Sequence, residues 1–403
     1  MRNLRFVLLV LGVLALLSAS MVSAQTTKIQ LAGWSSSDAE NAALQKMVDA
    51  FKAANPDIDV EVIFSPEYET FMQTGFASGD YPNVFYVDSF RLQDWASAGV
   101  LEPIGDRISE PDDIYESLRN IFTYDGQWYC PPKDFSTLAL VYNTDLFEAA
   151  GVAVPTNWEE LAAAAEALTT EEVAGLTTGI EMPRFLPLLY QAGGAILSEG
   201  EVVLDSDAAR QSVDFFVNLY KDGFARSPAD LGAGWAGEAF GQGKAAMTIE
   251  GNWIIQYLID QFPDTKWAVA ELPVGPVGPA TMAFTVCYGV AAAANNDNLE
   301  ASIKLADFLT GPEGAMMVGE SGFGPMPARA SAAEAWLAAR GEEFKPFVDG
   351  AAYAQPWSFP PGFGSFIDVF NNNLNEAIKG NVTTDELIEA ATEAAQEALE
   401  ESM

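Results

Sequence analysis

Lys28 to Trp34 alternates apolar and polar side chains, which predicts a strand. Ser37-Asp38-Ala39-Glu40 then reads as a capping box. Leu44, Met47, Val48 and Phe51 follow at helical spacing until Asn55-Pro56 stops them. Ile58, Val60, Val62 and Phe64 alternate with Asp57, Asp59 and Glu61, a second strand pattern. A helix over Tyr68 to Ala77 leads to Val84-Phe85-Tyr86-Val87, an unbroken apolar run of the kind found in a strand covered on both faces. This β-α-β-α-β order predicts an α/β lobe on a largely parallel sheet.

The pattern then restarts. Thr137 to Tyr142 predicts a strand, and Asp145 to Ala150 a short helix ended by Gly151. Thr156-Asn157-Trp158-Glu159 predicts the cap of an alanine-rich helix, and Val213, Phe216, Val217 and Tyr220 mark another. Ala245 to Ile249 predicts a strand, with Gly251-Asn252-Trp253 opening the helix after it. Thr281 to Ala294 is apolar and extended, and Leu299, Ile303, Ala306 and Leu309 are helical up to Gly311-Pro312. A last helix starts at the box Thr383-Thr384-Asp385-Glu386. Two α/β lobes with no flexible linker between them imply a chain that crosses from one to the other more than once.

The N-terminus carries a different pattern. Arg2 and Arg5 precede the apolar run Phe6 to Leu17, and Val22-Ser23-Ala24 is a cleavage site of A-x-A type, so residues 1–24 read as an export signal. A spanning helix needs about 20 apolar residues, more than this run offers. Gln25, not Cys, follows the site, which argues against a lipid anchor there. The expected location is the periplasm or the outer face of the cell membrane.

Composition narrows the chemistry. Of 403 residues 57 are acidic, 20 basic and none is histidine, a net charge of −37; without Arg2 and Arg5 it is 18 bases against 57 acids, −39. That field argues against nucleic acid and anionic membranes as partners. The missing histidine excludes Ser-His-Asp and Cys-His catalysis and His metal ligands. Two cysteines, Cys130 and Cys287, are too few for a thiolate zinc or iron–sulfur site within one chain, so neither metal nor cofactor is expected. In an exported chain the two either pair or remain small buried thiols, and composition leaves both open.

Six stretches then point to a family. Phe51-Lys52-Ala53-Ala54-Asn55-Pro56-Asp57-Ile58-Asp59-Val60 is similar to "F-x-x-x-x-P-x-I-x-V", and Asp80-Tyr81-Pro82-Asn83-Val84 to "G-x-x-P-D-V" with Asn in place of Asp. Gly126-Gln127-Trp128-Tyr129-Cys130-Pro131-Pro132, reaching Tyr142-Asn143, is similar to "G-K-x-Y-x-x-P … L-x-Y-N". Pro155-Thr156-Asn157-Trp158-Glu159-Glu160-Leu161 is similar to "P-x-T-W-E-E-L". Gly243-Lys244-Ala245-Ala246-Met247 and Gly251-Asn252-Trp253 are similar to "G-K-A-A-M … G-x-W". In this order they resemble the family 1 extracellular solute-binding proteins of ABC importers. The resemblance implies a two-lobed α/β periplasmic-binding-protein fold, type II-like, with hinge crossovers and a ligand cleft between lobes. One lobe would be about 25–132 plus 288–328, the other about 135–285 plus 332–403. It implies a monomeric, non-enzymatic binding protein that delivers a mono- or oligosaccharide to the permease subunits of an ABC transporter. It also puts Cys130 and Cys287 on neighbouring crossovers, close enough to bond.

A sugar needs flat rings against its C–H faces and carboxylates, amides and hydroxyls around its rim. At positions where such a cleft would form, the chain has Trp34, Ser35 and Ser36 after the first strand, Tyr68, and Asp88, Ser89 and Phe90. Asp134 lies past the first crossover, Trp235 and Trp253 flank the Gly-Lys-Ala-Ala-Met segment, and Phe284 and Tyr288 flank Cys287. Met326, Trp357 and Phe363 are the late candidates. Each has a plainer reading: the rings as core, Ser35 and Ser36 as residues before a cap, Asp88 as a cap, Asp134 as a solvated charge. Two rival functions remain: a solute-binding protein for a polyamine, polyol or glycerophosphodiester, and a secreted glycoside hydrolase working through two carboxylates.

Overall fold

The computed structural model describes residues 26–34, 38–320 and 325–402. The expected export signal, Ser35, Ser36 and the Ser37 cap lie outside the described residues.

Strand β1 (Thr27–Gly33) pairs in parallel with β2 (Ile58–Phe64) and β3 (Val84–Asp88). The helix Asp38–Ala54 connects β1 to β2 and buries Leu44, Met47, Val48 and Phe51, the residues its spacing singled out. Val84 to Val87 are buried on both faces, as an unbroken apolar strand requires.

Beyond β3 the sheet is no longer parallel. Its next member is the second crossover strand in the chain, Thr281–Val290, antiparallel to β3, and beyond it lies the first crossover strand, Pro132–Asn143, antiparallel to Thr281–Val290. Ala245–Gly251 follows, antiparallel, and Ala174–Thr177 closes the order in parallel with it. The largely parallel sheet expected from the local order is thus a ten-stranded mixed one. The reason is topological: a chain that leaves one half and later returns must cross in opposite directions.

Pro132–Asn143 serves both halves of the sheet. Its first part pairs with Thr281–Val290, and its second part with Ala245–Gly251 and Trp267–Ala270. Two short strands join at the crossovers: Met326–Pro327 beside Phe135 and Asp134, and Ala354–Pro356 beside Thr281 to Ala283. The apolar side chains form two main clusters. One surrounds Leu31, Phe51, Val84 and Phe85, the other Leu140, Phe185, Phe216, Phe370 and Ile388. Trp336, Phe344 and Phe347 belong to the first, as do Phe240, Ile254 and Leu258.

Cys130 and Cys287 are disulfide-bonded, both fully buried, with Cα atoms 5.7 Å apart, inside the range a bridge spans without moving the backbone. The bond joins the second crossover strand to the chain just before the first. Caps are local and legible: Thr383 and Glu386 hold each other's orphan groups at the last helix. At Trp158–Leu168 the cap sits one residue later than predicted. Asn157 accepts from the Glu160 N–H, and Glu160 in turn accepts from Thr156. The carboxylate three residues after the capping side chain is Glu160, not Glu159. Among the described residues no helix is long and apolar enough to cross a membrane.

Candidate functional site

Residues directly opposite one another in a sheet share a face. The register Phe284↔Ser136, Val286↔Asp134, Val286↔Asp88 and Tyr288↔Tyr86 therefore sets Ser136, Phe284, Asp134, Asp88, Tyr86 and Tyr288 on one side of the crossovers.

The end of Ala245–Gly251 covers one part of that face. Trp253 meets Phe284 edge-on at 5.7 Å between centroids. The Arg184 guanidinium lies 5.6 Å from each of these two rings. It is anchored by Glu250 at 2.8 Å and Glu181 at 3.2 Å, and Trp253 Nε1 donates to the same Glu250 carboxylate at 3.1 Å. Burial works against the charge on Arg184, but Glu250 and Glu181 outweigh it and raise its pKa. Beneath them Ser136 Oγ donates to Asn252 Oδ1 at 2.5 Å.

The end of β3 supplies the facing part. The half-buried Asp88 accepts the Phe90 N–H at 2.8 Å. Burial pushes its carboxyl up to about 6, and the nearby Glu69 adds to the rise. Arg91 stacks 5.0 Å over Phe90 and reaches Glu69 at 3.1 Å. Phe90 in turn stacks on Trp357 at 5.4 Å, and Trp357 meets Phe359 at 5.2 Å, so chain from the two apolar clusters touches here.

At the end of β1 a third group of rings meets the same face. Trp34 sits edge-on to Tyr68 and Tyr86 at 5.3 and 5.0 Å, and Tyr86 to Tyr288 at 5.5 Å. Lys133 lies 4.8 Å from the Tyr86 ring centroid, 3.0 Å from Glu40 and 2.7 Å from Asp134. Burial opposes the Lys133 charge, yet Asp134, Tyr86 and Glu40 outweigh it and raise its pKa well above the usual value.

The expected residues thus divide. Trp34, Asp88, Phe90, Trp253 and Phe284 are half-buried around one face, and Trp357 borders it. Tyr68, Ser89, Asp134 and Tyr288 are buried, and the Tyr68 hydroxyl is already committed to the Tyr86 carbonyl at 2.6 Å. Met326 is buried opposite Phe135, on the other side of the first crossover strand. Phe363 packs into the second cluster against Phe359. Trp235 meets Tyr257, one helical turn beyond Trp253, at 4.9 Å between centroids.

Sequence reading missed Arg184, Glu181, Glu250, Glu69 and Arg91. Glu250 sits directly before the Gly251-Asn252-Trp253 motif, which is the one signal available. Arg184 and Glu181 have only their three-residue spacing, which links them to each other and to no ring. Each cation of the region faces two carboxylates within 4 Å: Arg184 faces Glu250 and Glu181, Arg91 faces Glu69 and Asp94, Lys133 faces Glu40 and Asp134. Among the described residues no group of three His, Cys, Asp or Glu side chains could hold a metal.

Residues 34–316 match the model of the bacterial extracellular solute-binding protein family. A Brucella abortus protein named as a binding protein is 27 % identical over 282 residues, covering 66 % of this chain and 67 % of its own. Among solved structures, an ABC substrate-binding protein of Listeria monocytogenes in complex with cycloalternan is similar with a TM-score of 0.84 at 27 % identity, over 93 % of this chain and 99 % of that one. The GacH receptor of Streptomyces glaucescens, solved unliganded and with acarbose, is similar at 0.83 and 25 % identity, over 94 % and 100 % of the two chains.

Proposed function

The chain belongs to the bacterial extracellular solute-binding proteins, and on that premise we propose that it binds a carbohydrate in the face between the two halves of the sheet and hands it to an ABC importer. The observation that carries this reading is the Trp253–Phe284 pair with Arg184, Glu250 and Glu181 at its edge. Rings offer apolar faces to a sugar's C–H groups, and the ionised rim offers strong hydrogen bonds to its hydroxyls. The charge balance speaks against a glycerophosphodiester, because every cation here already faces two carboxylates. The similar Listeria and Streptomyces proteins were solved with cycloalternan and with acarbose, which supports an oligosaccharide.

The contact set is Trp34, Asp88, Phe90, Trp253, Phe284 and Trp357, with Arg184, Glu181, Glu250, Glu69 and Arg91 added. Trp235 extends it towards Tyr257. The lobes are those of the expected division, about 25–132 plus 288–328 and about 135–285 plus 332–403. Ligand touching both lobes stabilises the closed arrangement over the open one, and the closed arrangement is what the permease subunits recognise. The action is binding and release without catalysis, by a monomeric chain exported through residues 1–24.

Thermal melts of residues 25–403 against mono- and oligosaccharides, polyols, polyamines and glycerophosphodiesters test this. A ligand at 100 times its dissociation constant adds about 2.7 kcal/mol. Saccharide shifts, with the saccharide recovered intact, support the reading. Shifts confined to polyamines or phosphodiesters overturn the ligand class, and a cleaved saccharide overturns the non-catalytic role.

A further inference from the structure

The crossover strands have a second face. Alternation puts Phe135 and Ala283 opposite to Ser136 and Phe284, and Met326 pairs beside Phe135 on that reverse side. There the chain forms a half-open cavity of about 760 Å³. Leu118, Met326 and Trp336 line it from the first apolar cluster. Ala354, Pro356 and Ser358 line it from the segment that leads through Trp357 into the second.

Two features set this cavity apart. Its volume falls in the range of small-molecule sites, roughly 300–1,000 Å³. None of its described lining residues is charged, in a chain with 57 acids and 20 bases. An ionised ligand would find no counter-charge and would lose its hydration there. An uncharged apolar one would replace water against Trp336, Phe135, Leu118 and Met326.

We propose that this cavity is a second binding site, for an uncharged and mostly apolar small molecule, and that filling it favours the closed arrangement of the cleft. The second half follows from geometry and rests on the cleft assigned above. The cavity and the sugar face lie on opposite sides of the same two strands. Bending about those strands that narrows one widens the other, so an occupant behind the strands resists opening in front.

The test uses the full mature chain and N-phenyl-1-naphthylamine, an uncharged aromatic amine that brightens in apolar surroundings. Saturable binding with one site per chain is expected. Ala333→Phe and Ala354→Phe fill the cavity from opposite walls. Each should weaken probe binding at least tenfold with an unchanged far-UV circular dichroism spectrum. Absence of saturable binding overturns the site, as does undiminished binding to both variants. Small-angle scattering of the probe-saturated protein should give a smaller radius of gyration than the probe-free protein; an unchanged or larger value overturns the coupling. No arm contains a sugar, so failure here is distinct from failure of the carbohydrate reading.

Discussion

Deleting the Cys130–Cys287 bond is the sharpest stability test of the crossover arrangement. The bond spans 157 residues of chain. In the chain-entropy description, closing so long a loop costs the unfolded chain about 17 cal/mol/K, or about 5 kcal/mol at 25 °C. The Cα separation of 5.7 Å lies within the usual window, so the folded crossovers meet the bond's spacing without shifting. Cys130→Ala, Cys287→Ala and the double variant all lack the bond. Their unfolding free energies should agree to within about 1 kcal/mol, the cost of one truncated buried side chain. Urea unfolding followed by tryptophan fluorescence should show each losing about 3–5 kcal/mol. The m-value should rise, because the unlinked chain exposes more surface on unfolding. A loss below about 1 kcal/mol, or an unchanged m-value, would refute the argument that the bond works by restricting the unfolded state.

Trp253→Ala removes the ring that packs against both Phe284 and Arg184 and should weaken binding of the saccharide found in the melts by about 2 kcal/mol, roughly 30-fold, read by calorimetry. Arg184→Lys keeps the charge but not the fork that holds Glu250 and Glu181, and an affinity loss of about tenfold is expected in the same assay. Asp88 holds its proton up to about pH 6 when folded and releases it near 3.9 when unfolded, so its contribution to stability falls as pH rises between those values. Unfolding free energies from urea melts at pH 4.5 and 7 should therefore show Asp88→Asn gaining on the parent by about 2 kcal/mol at the higher pH; no gain would refute the burial argument. A Cβ at Gly175 would lie 2.0 Å from the Ala165 carbonyl oxygen, so Gly175→Ala must displace backbone and should cost about 2 kcal/mol or more in a thermal or urea melt.

What the sequence disclosed was mostly local. The helix over Leu44 to Phe51 and the buried run Val84 to Val87 follow from periodicity, and the Thr383–Glu386 cap from side-chain chemistry. The resemblance carried the crossovers and the disulfide. Which aromatic faces the cleft was not legible: Tyr68 and Trp34 belong to one ring cluster, yet only Trp34 keeps partial exposure. Asp134 and Lys133 are neighbours in sequence, and only the approach of Glu40 turns them into a buried ion group. Arg184 became visible as a site residue only when a helix start met a strand end more than sixty positions away. Long-range pairing decides such cases, and periodicity does not record it.

The strand that lies between β3 and Pro132–Asn143 is Thr281–Val290. During N-to-C emergence through an export channel, β3 therefore waits with an open edge while roughly 190 further residues appear. The first half cannot finish its sheet alone, and the Cys130 thiol has no partner until the same late strand arrives. Pairing this distant in sequence also slows folding. The two halves are thus obliged to mature together, after most of the chain has emerged, which gives chaperones and proteases a long interval in which to act on it.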